Sequence, residues 1–181
     1  MKTLIASDIH GSGVFCAQLI DRYYSDECDN IILLGDILYH GPRNDLPAGY
    51  SPKKVISLLN PLAQNIICVR GNCDAEVDGM VLDFDVLTDS RDICLGGIKA
   101  HLAHGHHDNI DNPPEGQYDV FLSGHTHIPL CAEKCGILFI NPGSVAIPKE
   151  GSPNSYAVFD SSDGKLIWKT LGGLEYMSCR L

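Results

Sequence analysis

The sequence has no apolar run approaching the roughly 18 residues of a membrane span. It has no C-x-x-C pair, so a zinc ribbon is not expected. Basic residues are few, 13 Lys and Arg against 23 Asp and Glu, giving a net charge of −10. That balance excludes broad, non-specific nucleic-acid binding, which needs a basic face. A metal-dependent nuclease would call for a long basic groove or further domains, and neither is evident. A phosphate-containing substrate stays open, because bound cations can supply positive charge locally. No repeat, low-complexity tract or linker interrupts residues 1–181, so a single domain with a sizeable core is expected. The opening "MKTLIASDIH" turns polar too early for a signal peptide, which leads to the expectation of a cytoplasmic protein.

What is present is an α/β pattern. "KTLIAS", "NIILLG" and "NIICVRG" are short apolar runs of strand length. Between them, "GVFCAQLIDRYYSDE" and "SPKKVISLLNPLA" have helical spacing, the second with Ser51 as expected N-cap and Pro52 at the first helical position. The second half changes character. "VLDFDVLT", "DICLG", "IKAHLAHG", "YDVFLSG", "IPLCAEK", "GILFINPG", "SYAVFD" and "KLIWKT" read as short strands separated by turn residues. Two facing sheets with helices outside are expected. The eight cysteines are scattered and read as free, mostly buried thiols. Cys131 and Cys135 flank a hairpin turn, where a disulfide is possible but not expected. Tyr23, Tyr24 and Trp168 read as packing or subunit-contact residues.

The chemistry is positional. "SDIHG" (7–11), "GDILYHG" (35–41), "GNCD" (71–74), "HGHH" (104–107) and "GHTH" (124–127) each follow a strand-like run. Ligands in α/β folds bind beyond the carboxyl ends of strands. Asp8 and His10, like His125 and His127, are two apart and would point the same way in extended chain. Taken singly, a D-x-H or a G-D is common in turns. Five such clusters in order are not. The pooled candidates are Asp8, His10, Asp36, Asn72, His104, His106, His125 and His127. They are too many for one tetrahedral zinc and suit two ions about 3.5–4 Å apart.

The order D-x-H, G-D, G-N-C-D, H-G-H, G-H-x-H resembles that of the calcineurin-like metallophosphoesterases, from Lys2 to about Asp160. "LYHGPRNDLPAGYSP", "VRGNCDAEVD" and "NPGSVAIPKEGSPNSY" look like a subgroup of small bacterial phosphodiesterases. The resemblance implies a four-layer α/β/β/α sandwich of two mixed sheets flanked by helices. It also implies that Asp8, His10, Asp36 and His127 hold one metal and Asp36, Asn72, His104 and His125 a second, with Asp36 bridging. Oxygen and imidazole ligands suit Mn²⁺, Fe²⁺, Ni²⁺ or Zn²⁺; the resemblance favours two Mn²⁺.

The implied reaction is hydrolysis of a small phosphodiester by in-line attack of a hydroxide shared by the two ions. Arg43, with His40 and Asn44 nearby, is the candidate for binding phosphate oxygens. His106 falls outside the implied ligand set and is read as supporting the ligands, facing substrate or standing as a spare ligand. Cys73 stands where many relatives carry a histidine thought to protonate the departing oxygen. A thiol is a poorer proton donor at neutral pH, so diesters are expected, with weak or no monoester hydrolysis. Some relatives keep this fold as a scaffold in a protein-sorting complex, but a scaffold has no need of seven cation-seeking ligand positions. Exposed tyrosines and the small size are compatible with a homodimer or homotetramer.

Overall fold

The computed structural model describes residues 1–181. In chain order it contains β1 (Lys2–Ala6), α1 (Gly13–Ser25), β2 (Asn30–Leu33), α2 (Pro52–Leu59), β3 (Ile66–Cys68), β4 (Ser90–Leu95), β5 (Ile98–Ala103), β6 (Val120–Leu122), β7 (Leu130–Lys134), β8 (Ile137–Asn141), β9 (Ser155–Asp160), β10 (Lys165–Thr170) and β11 (Glu175–Arg180). They form two mixed sheets, β11-β10-β9-β1-β2-β3 and β4-β5-β6-β8-β7. β1, β2 and β3 are parallel in the first, and β5, β6 and β8 in the second.

Strand alternation divides the core into two layers. On β1 and β2, Leu4, Ala6, Ile31 and Leu33 face the helices, where they meet Cys16, Leu19, Ile20, Val55 and Leu59. Ile5 and Ile32 face the second sheet and pack with Leu102, Leu122 and Ile140. Both faces of these strands are therefore buried, which is why they read as continuous apolar runs. Trp168 is fully buried between the sheets, its indole N–H donating to the Asn141 carbonyl at 2.7 Å.

Four details differ from the sequence reading. Both α-helices lie on the first sheet; the outer face of the second is covered by the loop 104–119, where Ile110 packs on Ala103, Phe121 and Phe139. The run "VLDFDVLT" is not a strand. Leu82, Phe84 and Val86 are buried in alternation, but Asp83 N–H is taken by Asn60 and Asp85 accepts from Leu87 and Thr88. The backbone thus has local partners in place of a ladder. Ser51 precedes α2, yet its side chain makes no cap bond; Ser12 caps α1 by accepting from Phe15 N–H at 3.3 Å. The edge strand β11 replaces what the pattern left unassigned.

Cys135 and Gly136 form the tip of the β7–β8 hairpin, both with positive φ (53° and 77°), as a two-residue turn of this kind requires. The Cys131 thiol meets not Cys135 but Cys179, on the edge strand of the other sheet. All eight thiols are free, with Cys94 and Cys135 exposed. Burial pushes Cys16 and Cys28 up to about 12 and Cys68 well above the ordinary thiol range. A thiol-titrating disulfide reagent is therefore expected to modify Cys94 and Cys135 rapidly, and Cys16, Cys28 and Cys68 only after denaturant is added. Fast native-state reaction at the buried three would contradict this packing.

Candidate metal centre

The polar clusters after β1, β2, β3, β5 and β6 converge on one edge of the sandwich. Backbone bonds tie their turns together: Asp8 N–H to Gly35 O (3.1 Å), His10 N–H to Asp36 O (2.9 Å) and Gly124 N–H to His104 O (2.8 Å). His125 N–H donates to Asp8 Oδ2 at 3.1 Å, joining the second sheet to the first.

The ligand side chains do not converge by strand alternation. Asp8, His10, Asp36, His125 and His127 all adopt the left-handed region, with φ between 47° and 65°. They are five of the eight non-glycine residues with positive φ. Each such residue costs about 1 kcal/mol or more, and such conformations gather at functional sites. The extended-chain geometry expected for the i, i+2 pairs does not hold: turns aim these side chains.

Two glycines are needed for space. A Cβ on Gly71 would overlap Asp36 Oδ1 and the Asp36 backbone nitrogen, and a Cβ on Gly124 would overlap Ser7 Oγ. Asp74, buried behind them, accepts from Asp36 N–H (2.8 Å), Ile37 N–H (2.8 Å) and Gly71 N–H (2.7 Å). Burial, opposed by these bonds, pushes its carboxyl up to about 6. Sequence reading missed Asn141 and Ser144. Asn141 donates to Gly124 O at 2.6 Å, and Ser144 donates to Asp8 O at 2.9 Å. Both lie in "NPGS", whose Asn and Ser were the available signal.

The donor atoms fit cations. Nδ1 of His10, His104 and His127 lies 2.6–2.8 Å from the carbonyls of Tyr39, Leu34 and Ile147. A carbonyl only accepts, so each Nδ1 carries the proton and the neutral ring presents an Nε2 lone pair. Those lone pairs face other acceptors. His10 Nε2 is 3.3 Å from His127 Nε2, and His104 Nε2 is 3.1 Å from Asn72 Oδ1. Asp8 Oδ1, fully buried without a hydrogen-bond partner, is 3.1 Å from His127 Nε2 and 3.5 Å from His10 Nε2. Ligands bound at about 2.1 Å to one ion stand about 3.0–3.4 Å apart, so these separations match shared coordination.

Asp36 Oδ2 lies 3.6 Å from His10 Nε2 and 3.4 Å from His104 Nε2, placing it between the two groups. Donor atoms of Asp8, His10 and His127, and of Asp8, Asp36 and His104, each gather within 4.8 Å. His125 joins neither group; its ring centre stands 5.1 Å from that of His104. Without a cation, protons take the role. Burial works against a charged His104, but its bond to Asp36 and the charges of Asp8 and Asp36 hold it up at about 9. Burial and the neighbouring His104 push His125 down to about 4.

A cleft of about 470 Å³ opens beside these residues. Arg43, Asn44, Asn72 and Cys73 line it, as does Lys149, which sequence reading did not single out. His40 and His106 do not. His40 packs edge-on against Tyr39 and Tyr50, and His106 borders a separate space of about 70 Å³ with Asp89 and Ser90. Cys73 Sγ lies within 4.8 Å of the His10 and Asp36 donor atoms and accepts from Asn72 Nδ2 at 3.2 Å. Burial and the Asp36 charge push the Cys73 thiol up to about 12.

Residues 1–164 match the calcineurin-like phosphoesterase superfamily domain. Over 162 residues, 89% of this chain and 88% of the relative, the sequence is 43% identical to Phosphodiesterase YfcE of Escherichia coli K12. The solved structure of YfcE, a phosphoesterase from E. coli, superposes with a TM-score of 0.94 at 40% identity, covering 99% of both chains. Zinc-bound Vps29 from Entamoeba histolytica shares the fold, with a TM-score of 0.64 at 22% identity over 100% of this chain and 98% of that one. The sandwich is thus that of a known lineage, and the chain belongs to the calcineurin-like phosphoesterase superfamily.

Proposed function

We propose that the protein is a metal-dependent phosphodiesterase that uses two divalent cations, Mn²⁺ foremost, to hydrolyse small phosphodiesters. The observation that carries this reading is the set of acceptors facing one another: buried His10, His127 and Asp8 on one side, buried His104 and exposed Asn72 on the other, with Asp36 between. The 43% identity to a named phosphodiesterase supports the substrate class. When bound, the cations supply the charge that lowers the pKa of a water and neutralises phosphate oxygens.

The residues of the chain do the rest. Asp8, His10, Asp36 and His127 would hold one ion, and Asp36, Asn72, His104 and His125 the other. The carbonyls on each Nδ1 keep the imidazoles in the tautomer that can ligate. Arg43, exposed on the cleft wall, is placed to bind non-bridging phosphate oxygens. At neutral pH a thiol at Cys73 is a poorer proton donor to the leaving oxygen than an imidazole, which suits diesters with good leaving groups and leaves monoesters poorly served. Outright scaffolding is disfavoured, since five strained ligand conformations have no purpose in a protein that binds no cation.

Purified protein loaded with Mn²⁺ should hydrolyse an aryl phosphodiester well and the matching monoester poorly. No hydrolysis of either, with metal bound, would defeat the reading. Cys73→His is expected to raise monoester hydrolysis by roughly 100-fold, the typical scale of a positioned acid. Steady-state kinetics on both substrates would check it, and no gain would place the specificity elsewhere.

A further inference from the structure

Resting on the phosphodiesterase reading, we infer that Lys149 is a specificity-determining residue, binding a second anionic group carried on one arm of the diester. The preferred substrates are then diesters bearing an additional phosphate or carboxylate.

The argument begins with the walls of the cleft. Of its twelve lining residues only one is hydrophobic, and none is Phe, Tyr or Trp. The cleft thus lacks a Phe, Tyr or Trp platform for a nucleobase or other aromatic arm. Asp36 is the only carboxylate among them, and it faces the imidazoles. The remaining formal charges are Arg43 and Lys149, both positive, in a chain of net charge −10. Five of the thirteen Lys and Arg residues pair with a carboxylate: Lys2, Arg70, Arg91, Lys134 and Lys169. Of those that pair with none, only Arg43 and Lys149 line the cleft where a phosphate is expected.

Placement separates their tasks. Arg43 lies on the loop that directly follows Asp36. Lys149 lies on the β8–β9 loop, which is fastened to the site: Lys149 N–H donates to His127 O at 3.3 Å, and Ser152 Oγ donates to Lys149 O at 2.6 Å. The base of the lysine is fixed to a candidate metal-ligand turn, and the residue is exposed on the cleft wall. A diester phosphate carries one negative charge, already met by the metal ions and Arg43. A further lysine has no counter-charge unless the substrate brings one, and an ammonium serves as a point charge for either phosphate or carboxylate.

The test uses Mn²⁺-loaded protein and three p-nitrophenyl alkyl phosphodiesters whose alkyl arm ends in a hydroxyl, a carboxylate or a phosphate. For the wild type, kcat/KM should favour a charged arm over the hydroxyl by about fivefold, the scale of an exposed ion pair. Added salt should shrink that ratio. In Lys149→Glu the ratio should fall below one, with Lys149→Ala between. A merely structural role would move all three substrates together and leave the ratio untouched. The carboxylate and phosphate arms show which anion is preferred. Equal kcat/KM for all three arms, or a ratio unchanged in Lys149→Glu, overturns the role of Lys149 alone. Failure to hydrolyse any of them overturns the phosphodiesterase reading, and this inference with it.

Discussion

Asp36→Asn is expected to cut diester hydrolysis roughly a thousandfold, because a Lewis-acid contribution of about 4 kcal/mol corresponds to three decades of rate. The metal-free protein gives a second signal. Asp36 Oδ1 accepts Cys73 N–H at 2.8 Å, and an asparagine oxygen keeps that bond. Asp36 Oδ2 lies 3.4 Å from His104 Nε2, and the bond and charge of Asp36 help hold His104 protonated. An amide there removes the charge that His104 pairs with, and breaking a buried pair is destabilising. Metal-free Asp36→Asn should therefore melt lower than metal-free wild type, while Mn²⁺ stabilises the wild type and barely moves the variant. Thermal melts with chelator and with Mn²⁺ would decide it; a variant still strongly stabilised by Mn²⁺ would remove Asp36 from the centre.

Gly71→Ala carries the second large effect, although one methyl is added and no ligand is removed. The new Cβ would overlap Asp36 Oδ1 and the Asp36 backbone nitrogen. It cannot be accommodated by a flexible side chain, since Gly71 N–H and Asp36 N–H are both held by the buried Asp74 carboxylate. The Asp36 and Asn72 turns must separate, moving two ligand positions at once. Misplacement on the order of 1 Å costs about 100-fold in rate, and the loss should appear in kcat with weakened Mn²⁺ binding. Retained kcat and retained affinity would show that the two turns can part without disturbing the centre.

The convergence of the candidate ligand clusters on one edge was legible in the sequence because few residue types can hold a cation and each cluster followed an apolar run. The aim of those side chains was not legible. The left-handed φ at Asp8 or His127 is imposed by bonds such as Ser144 Oγ to Asp8 O, made across 136 residues. The first half of the fold was readable because strands buried on both faces leave unbroken apolar runs. "VLDFDVLT" misled because buried alternation also arises in a segment lying on the core without a ladder. β11 escaped notice because it is an edge strand, largely exposed, with Glu175, Ser178 and Arg180 facing water. Lys149 was hidden for a different reason. Its relation to the centre depends on where the β8–β9 loop returns, and nothing local to "IPKEG" encodes that.

The most direct test of the central claim is a Mn²⁺ titration of metal-free protein, with bound metal and aryl diester hydrolysis followed in the same samples. The account predicts two Mn²⁺ per chain, with hydrolysis rising as the second ion binds and monoester turnover staying low. Saturation at one ion with full diester activity, or two bound ions with no hydrolysis, would contradict it.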